Sequence, residues 1–135
     1  MAASLALMNE RTGSVVADDV ELAVTRNARR RGLLGRSGLA PFSGLLLAPC
    51  AAVHTMFMRF AIDVIFLDRE GRVVRVVPRL GPWRAAMKVI AHAVIELPAG
   101  TLASREVAVG DPLYLACGYN RRLPVRANVL REELA

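Results

Sequence analysis

The densest group of reactive side chains within apolar sequence is Val53–His54–Thr55–Met56–Phe57–Met58–Arg59–Phe60–Ala61–Ile62–Asp63. An imidazole, a hydroxyl, a guanidinium and a carboxylate share that one segment. A charge near a core must be paired or solvated, because an isolated buried charge is strongly disfavoured. Arg59 and Asp63 are therefore expected either to pair and hold the loop ahead of a strand, or to wall a small concave site. In the second case Arg59 binds an anionic group and His54 donates or accepts a proton, with Thr55 and Met58 beside them.

Two further segments could contribute. Pro82–Trp83–Arg84 sets the sole tryptophan next to an arginine. That pair could stack on a sugar, nucleotide or carboxylate, or the indole could close a mouth of the fold with no ligand. Glu96 precedes Pro98–Ala99–Gly100 at a strand end. It is a candidate acid–base if a second group lies within reach, and otherwise a salt-bridge partner of Arg84 or Arg59. Asp111, between Gly110 and Pro112, reads as a turn residue.

Metal and cofactor chemistry finds no pattern. His54 and His92 show no HxH or HExxH spacing, and Cys50 and Cys117 form no CxxC. The glycines of Gly32–Gly38 are not followed by Lys-Ser/Thr, which excludes a P-loop. Both cysteines lie in apolar runs and are read as buried free thiols rather than a disulfide or a nucleophile.

The elements that must position these residues are mostly short strands. Ser4–Met8 and Val15–Ala17 read as a hairpin across Asn9–Gly13, and Val20–Val24 continues extended. Thr25 is placed to cap a helix through Arg31, which Gly32 ends. Gly44–Leu47 reads as a strand. Ile62–Leu67 has the continuous apolar character of a strand buried on both faces. Asp68–Gly71 carries turn chemistry before its hairpin partner Arg72–Val77. Val89–Leu97 alternates, which puts His92 and Glu96 on one face. A short helical turn over Thr101–Arg105 and a strand over Leu113–Cys117 follow. The fold expected is mostly β (α+β): one compact, largely antiparallel barrel or sandwich of about seven short strands with one or two short helices.

Composition sets the outer limits. The chain has 135 residues, 54% apolar and 22% charged, which excludes a disordered or collagen-like polymer. No repeat or linker divides it, so residues 1–135 are expected to form one domain, with 119–135 an extension that could be strand, helix or tail. No segment approaches the roughly 20 apolar residues of a membrane span. The short apolar start lacks the basic region of a secretory signal, so a cytoplasmic location is expected. The net charge is +6, and Lys88 is the sole lysine among 18 basic residues. Arg26, Arg29, Arg30, Arg31 and Arg36 cluster without an acidic neighbour. Arg29–Arg31 spread around the helix, however, and aromatic platforms are scarce, which argues against nucleic acid.

The ordered set Thr25–Arg36, Val53–His54–Thr55, Met58–Arg59–Phe60, Ile62–Asp68, Pro82–Trp83–Arg84, Glu96–Gly100 and Gly110–Asp111 resembles the DUF192 family, also called UPF0127. These are small bacterial and archaeal proteins without an agreed biochemical role. The resemblance covers about residues 20–115 and implies a single β-rich domain, with no established reaction. Ala61 stands where many relatives with the His-Thr form carry proline.

Three classes of function follow. The expected one is a small-ligand domain, taking a small polar or anionic molecule at one end of a barrel. Its candidate site is His54, Thr55, Met58, Arg59, Asp63, Trp83, Arg84 and Glu96, with no cofactor and no metal. The second is an enzyme with His54 or Glu96 as acid–base and Arg59 as anion clamp. The third is an interaction module in which the basic 26–36 segment docks an acidic partner, nucleic acid or an anionic surface.

Overall fold

Leucine- and valine-rich runs cut by glycine, proline and aspartate turns build eleven short strands and three short helices among the described residues. The computed structural model describes residues 5–118 and 121–134. The expected strand start at Ser4, and Tyr119, Asn120 and Ala135 of the C-terminal extension, lie outside them.

One sheet has four strands, in the order β11 (Arg121–Leu123), β10 (Leu113–Cys117), β1 (Leu5–Asn9) and β2 (Ser14–Ala17). The second has five: β3 (Asp19–Ala23), β4 (Ser43–Leu47), β9 (Ala93–Pro98), β6 (Ile62–Leu67) and β7 (Val73–Leu80). A two-stranded ribbon joins β5 (Ala52–His54) to β8 (Ala85–Met87). All ladders are antiparallel except β3–β4, which is parallel. The helix between those two strands, α1 (Arg26–Arg31), is their crossover, as parallel neighbours require.

The sheets are open, which corrects the expected barrel: β3 and β7 end the larger sheet, and β11 and β2 the smaller. The strand number is also larger than expected. The ribbon strands β5 and β8 have only three residues each, too few for alternation to register. Residues 89–92 fall outside β9 and form a turn, closed by the Ala91 N–H donating to the Lys88 carbonyl. The C-terminal extension supplies β11 and α3 (Ala127–Leu134).

The larger sheet is buried on both faces, as the apolar run of β6 predicts: all six of its residues are buried. One face sends Leu46, Ile65, Leu67, Ile95 and Leu97 into a cluster shared with Leu7, Val16, Leu115 and Leu130. The other sends Leu45, Leu47, Val64, Phe66 and Val94 into a second cluster. That one is covered by Leu33, after α1, by Met58, and by Val53 and Ala86 of the ribbon. Strand geometry makes this division, since successive side chains point to opposite faces. Phe66 and Leu67 are adjacent in sequence yet belong to different cores.

Turn chemistry sets the registers. Asp68 Oδ1 accepts from the N–H groups of Glu70 and Arg72, which folds the β6–β7 turn. Gly71 there has φ +81°, and a Cβ at that position would sit 2.7 Å from the Leu113 carbonyl oxygen. Only glycine meets both conditions.

Candidate functional site

α1 begins where Thr25 accepts the Ala28 N–H through its hydroxyl at 3.1 Å, and it ends at Gly32 with φ +48°. Both are the caps expected from sequence. Its last turn is Arg29, Arg30 and Arg31, three cations where the helix carbonyls leave partial negative charge. Arg29 also donates to the Val24 carbonyl at 3.0 Å. The chain then drops Leu33 into the second core, which fixes this basic turn over the larger sheet.

Beneath it, Glu96 occupies the middle of β9, opposite Leu45 of β4 on one side and Val64 of β6 on the other. Its neighbours Ile95 and Leu97 point into the shared core, so alternation sends the carboxyl into the second. Glu96 is 4% exposed, and its Oε2 is a buried atom with no hydrogen-bond partner. Burial pushes the carboxyl up to about 7 from 4.5, and the charge of Arg36 opposes that rise. Arg36 itself is held by Glu21 at 2.8 Å. The expected salt bridge from Glu96 to Arg84 or Arg59 is absent among the described residues: the carboxyl is enclosed by the sheet, while both arginines are exposed on loops.

A cavity of about 80 Å³ opens onto this carboxyl. Arg29–Arg31, Leu33, Cys50, His54, Met58 and Glu96 line it. Cys50 is half-buried and free, and donates to the Ala52 carbonyl. Burial pushes its thiol up, and Glu96 pushes it further, against the lowering effect of Arg29. A buried carboxyl near neutrality and a rim of guanidiniums can bind a small polar molecule or exchange a proton with it. A wider open groove of about 570 Å³ lies between Pro49–Ala51, Asp68–Glu70 and Val89–His92. It offers no buried unpartnered polar atom, so chemistry favours the smaller cavity.

Of the eight residues expected to form the site, His54, Met58 and Glu96 line this cavity and five do not. Asp63 is buried and committed to backbone: its carboxylate accepts from the N–H groups of Arg79 at 2.8 Å, Gly100 at 3.1 Å and Leu102 at 2.8 Å. It thereby ties β7 and the first turn of α2 (Thr101–Ser104) to β6, and the expected Arg59–Asp63 pair does not form. Arg59 lines a neighbouring cavity with Gly35, Arg36, Ser37 and Phe57. Thr55 is buried as a clamp. Its hydroxyl donates to the Gly81 carbonyl and accepts the Arg84 N–H at 2.8 Å, and its carbonyl accepts the Trp83 N–H. Trp83 is exposed and packs on Phe57 rather than over the Glu96 cavity. Arg84 is exposed beside it.

His92 is also separated from Glu96. It lies ahead of β9, and its Nε2 accepts the Ala127 N–H at 3.1 Å, the first donor of α3. Burial holds its pKa below 6.5, helped by Arg69, Arg126 and Arg131. Asp111 does more than turn the chain: it accepts from Asn9 at 2.8 Å, Arg11 at 2.5 Å and the Ala108 N–H at 2.8 Å. Arg11 above all draws its carboxyl down to about 2.

Sequence reasoning missed Arg29–Arg31 and Cys50 as lining residues. The usable signal was the order strand, capped helix, strand over residues 19–47, a β-α-β unit whose helix must cover a sheet face. Among the described residues no His, Cys, Asp or Glu group is arranged to hold a metal ion. No described helix is long and apolar enough to cross a membrane.

Residues 7–115 match the family model DUF192, described as "Uncharacterized ACR". A UPF0127 protein of Thermococcus sibiricus is 34% identical over 116 residues, spanning 79% of this chain and 72% of the relative. A UPF0127 protein of Pyrococcus furiosus is 45% identical over 64 residues, 47% of this chain and 54% of the relative. In structure, a Sinorhizobium meliloti protein, named as a proposed transcription regulator, superposes with a TM-score of 0.70 at 24% identity. It covers 84% of this chain and 95% of its own. At that identity the likeness concerns the fold alone.

Proposed function

The chain belongs to the DUF192 family, and from that premise we propose that it is a small-ligand-binding domain whose site is the Glu96 cavity. The carrying observation is the buried Oε2 of Glu96, which has no hydrogen-bond partner and belongs to a residue that lines a cavity with Arg29–Arg31. An unpartnered buried polar group is disfavoured by about 1–3 kcal/mol, and a ligand donor placed there removes the penalty. The ligand class that fits is a small polar molecule that offers an O–H or N–H to Glu96 and negative charge to the guanidiniums. Arg59, Trp83 and Arg84 fall outside this site, and Thr55 and Asp63 act as its scaffold.

Thermal-shift screening of the wild type, Glu96→Gln and Arg30→Ala against short-chain carboxylates, amino acids and inorganic phosphate tests the reading. It predicts that at least one compound raises the wild-type melting temperature and that both variants lose the shift. No shift with any compound, or equal shifts in all three proteins, contradicts it.

A second reading rests on the same carboxyl. A group that titrates near 7 can give or take a proton at neutral pH, and His54 lines the same cavity. An enzyme of that kind loses turnover in Glu96→Gln while it still binds its ligand.

A further inference from the structure

The ribbon of β5 and β8 has a second surface. In its ladder the pair Val53–Ala86 faces the larger sheet, while Ala52–Met87 and His54–Ala85 face outward. At one end the Thr55 clamp ties residues 55–58 to 81–84 and holds Phe57 and Trp83 together in solvent. Their ring centroids are 4.6 Å apart with planes tilted by 57°, and they are 73% and 59% exposed. Both have positive φ, 66° and 61°, a conformation that bulky residues keep only when the surrounding structure imposes it. Met56 stands exposed beside them, and at the other end Met87, Val89 and Ile90 are exposed, the last two by 80% and 64%. Six of the nine exposed large apolar side chains among the described residues thus belong to this ribbon and its end loops.

At the Phe57–Trp83 end the charge has one sign, whereas at the other end Asp68 and Glu70 share a groove with Val89 and Ile90. Residues 22–62 and 71–95 contain no aspartate or glutamate, and they carry Arg59, Arg84 and Lys88 on or beside the ribbon. None of these three cations makes an ion pair among the described residues. Apolar tips beside unpaired cations, as Phe57 and Trp83 are, are complementary to a surface with negative headgroups over a hydrocarbon interior. Tryptophan favours that interface. The Phe57 and Trp83 rings are tilted by 57° to each other and form no common flat platform for successive nucleic-acid bases, and the aliphatic tips do not stack. The tips are exposed, and a bilayer accepts exposed apolar side chains without a matching pocket.

We propose that this face is a peripheral membrane surface, with Phe57 and Trp83 entering the interface of an anionic bilayer while Arg59, Arg84 and Lys88 engage lipid phosphate. Trp83 is the sole tryptophan and reports its own environment.

The full chain is titrated with vesicles of phosphatidylcholine alone and of phosphatidylcholine and phosphatidylserine in equal parts. The expected result is a blue shift of tryptophan emission and co-sedimentation with the mixed vesicles, both weakened by added salt, and at least about tenfold weaker partition onto neutral ones. Phe57→Ser, and separately Arg59→Glu with Arg84→Glu, each lower partition onto the mixed vesicles by at least about tenfold. All these side chains are exposed, and unchanged circular dichroism confirms the fold. Absence of a blue shift with both vesicles overturns the proposal, as does equal partition onto both. Partition that survives unchanged in both variants overturns it too. Binding to a single-stranded oligonucleotide or to polyglutamate without binding to vesicles assigns the face to that partner instead.

Discussion

Replacing Glu96 by glutamine keeps the side chain's shape and removes its ionisation. In the unfolded chain this carboxyl titrates at the ordinary 4.5, and in the fold at about 7. Between those values the folded protein holds a proton that the unfolded chain has released, so stability falls as pH rises through that window and levels off above it. At roughly 1.4 kcal/mol per pH unit the whole effect is about 3 kcal/mol, a large fraction of a typical folding free energy. Glu96→Gln escapes it. The variant is expected to gain about 3 kcal/mol relative to the wild type between about pH 4 and pH 8.5, by urea unfolding followed by circular dichroism. The amide left in the cavity adds a penalty of about 1 kcal/mol or more, but at every pH alike, so the change in the difference is the quantity to read. Titration of His92 and Asp111 is common to both proteins and cancels. A difference that stays flat from acid to base would refute the assignment of a proton to this buried site.

Three other expectations can be measured on the same samples. Because the folded pKa of His92 lies below 6.5, stability from its acceptor bond to Ala127 is lost as pH falls below 6.5; protection of α3 against hydrogen exchange, taken relative to the intrinsic rate at each pH, should fall there, and His92→Gln should weaken that response. Asp63→Ala strands the N–H groups of Arg79, Gly100 and Leu102 and should lower stability by about 3 kcal/mol, read as a lower urea midpoint. Asp111→Asn should lower stability at neutral pH by about 1–2 kcal/mol. That loss should shrink as pH drops from 3.8 towards about 2, where the wild-type carboxyl itself takes up a proton.

What the sequence makes legible is local. The apolar run of β6, the Thr25 and Gly32 caps and the Asp68–Gly71 turn each depend on a few neighbouring residues, and each forms as read. Glu96 could be singled out as a carboxyl on an alternating strand that ends at Pro98–Ala99–Gly100. Its surroundings could not be read, since they come from the parallel pairing of β3 with β4 and from a three-residue ribbon strand. Asp63 shows the same boundary. Arg59 is four positions away and of opposite charge, yet the carboxylate is taken by N–H groups from residues 79, 100 and 102. Three converging backbone donors satisfy a buried carboxylate without burying a second charge beside it. Thr55 likewise reads as a site hydroxyl until its partners on the 81–84 loop are known.

The most direct test follows the Glu96 carboxyl itself by carbon-13 NMR as pH is varied, in the free protein and with each compound that raises the melting temperature. A midpoint near 7 is expected for the free protein, displaced when the compound is bound. A midpoint at the ordinary 4.5, unmoved by any of the compounds, would contradict the proposed site.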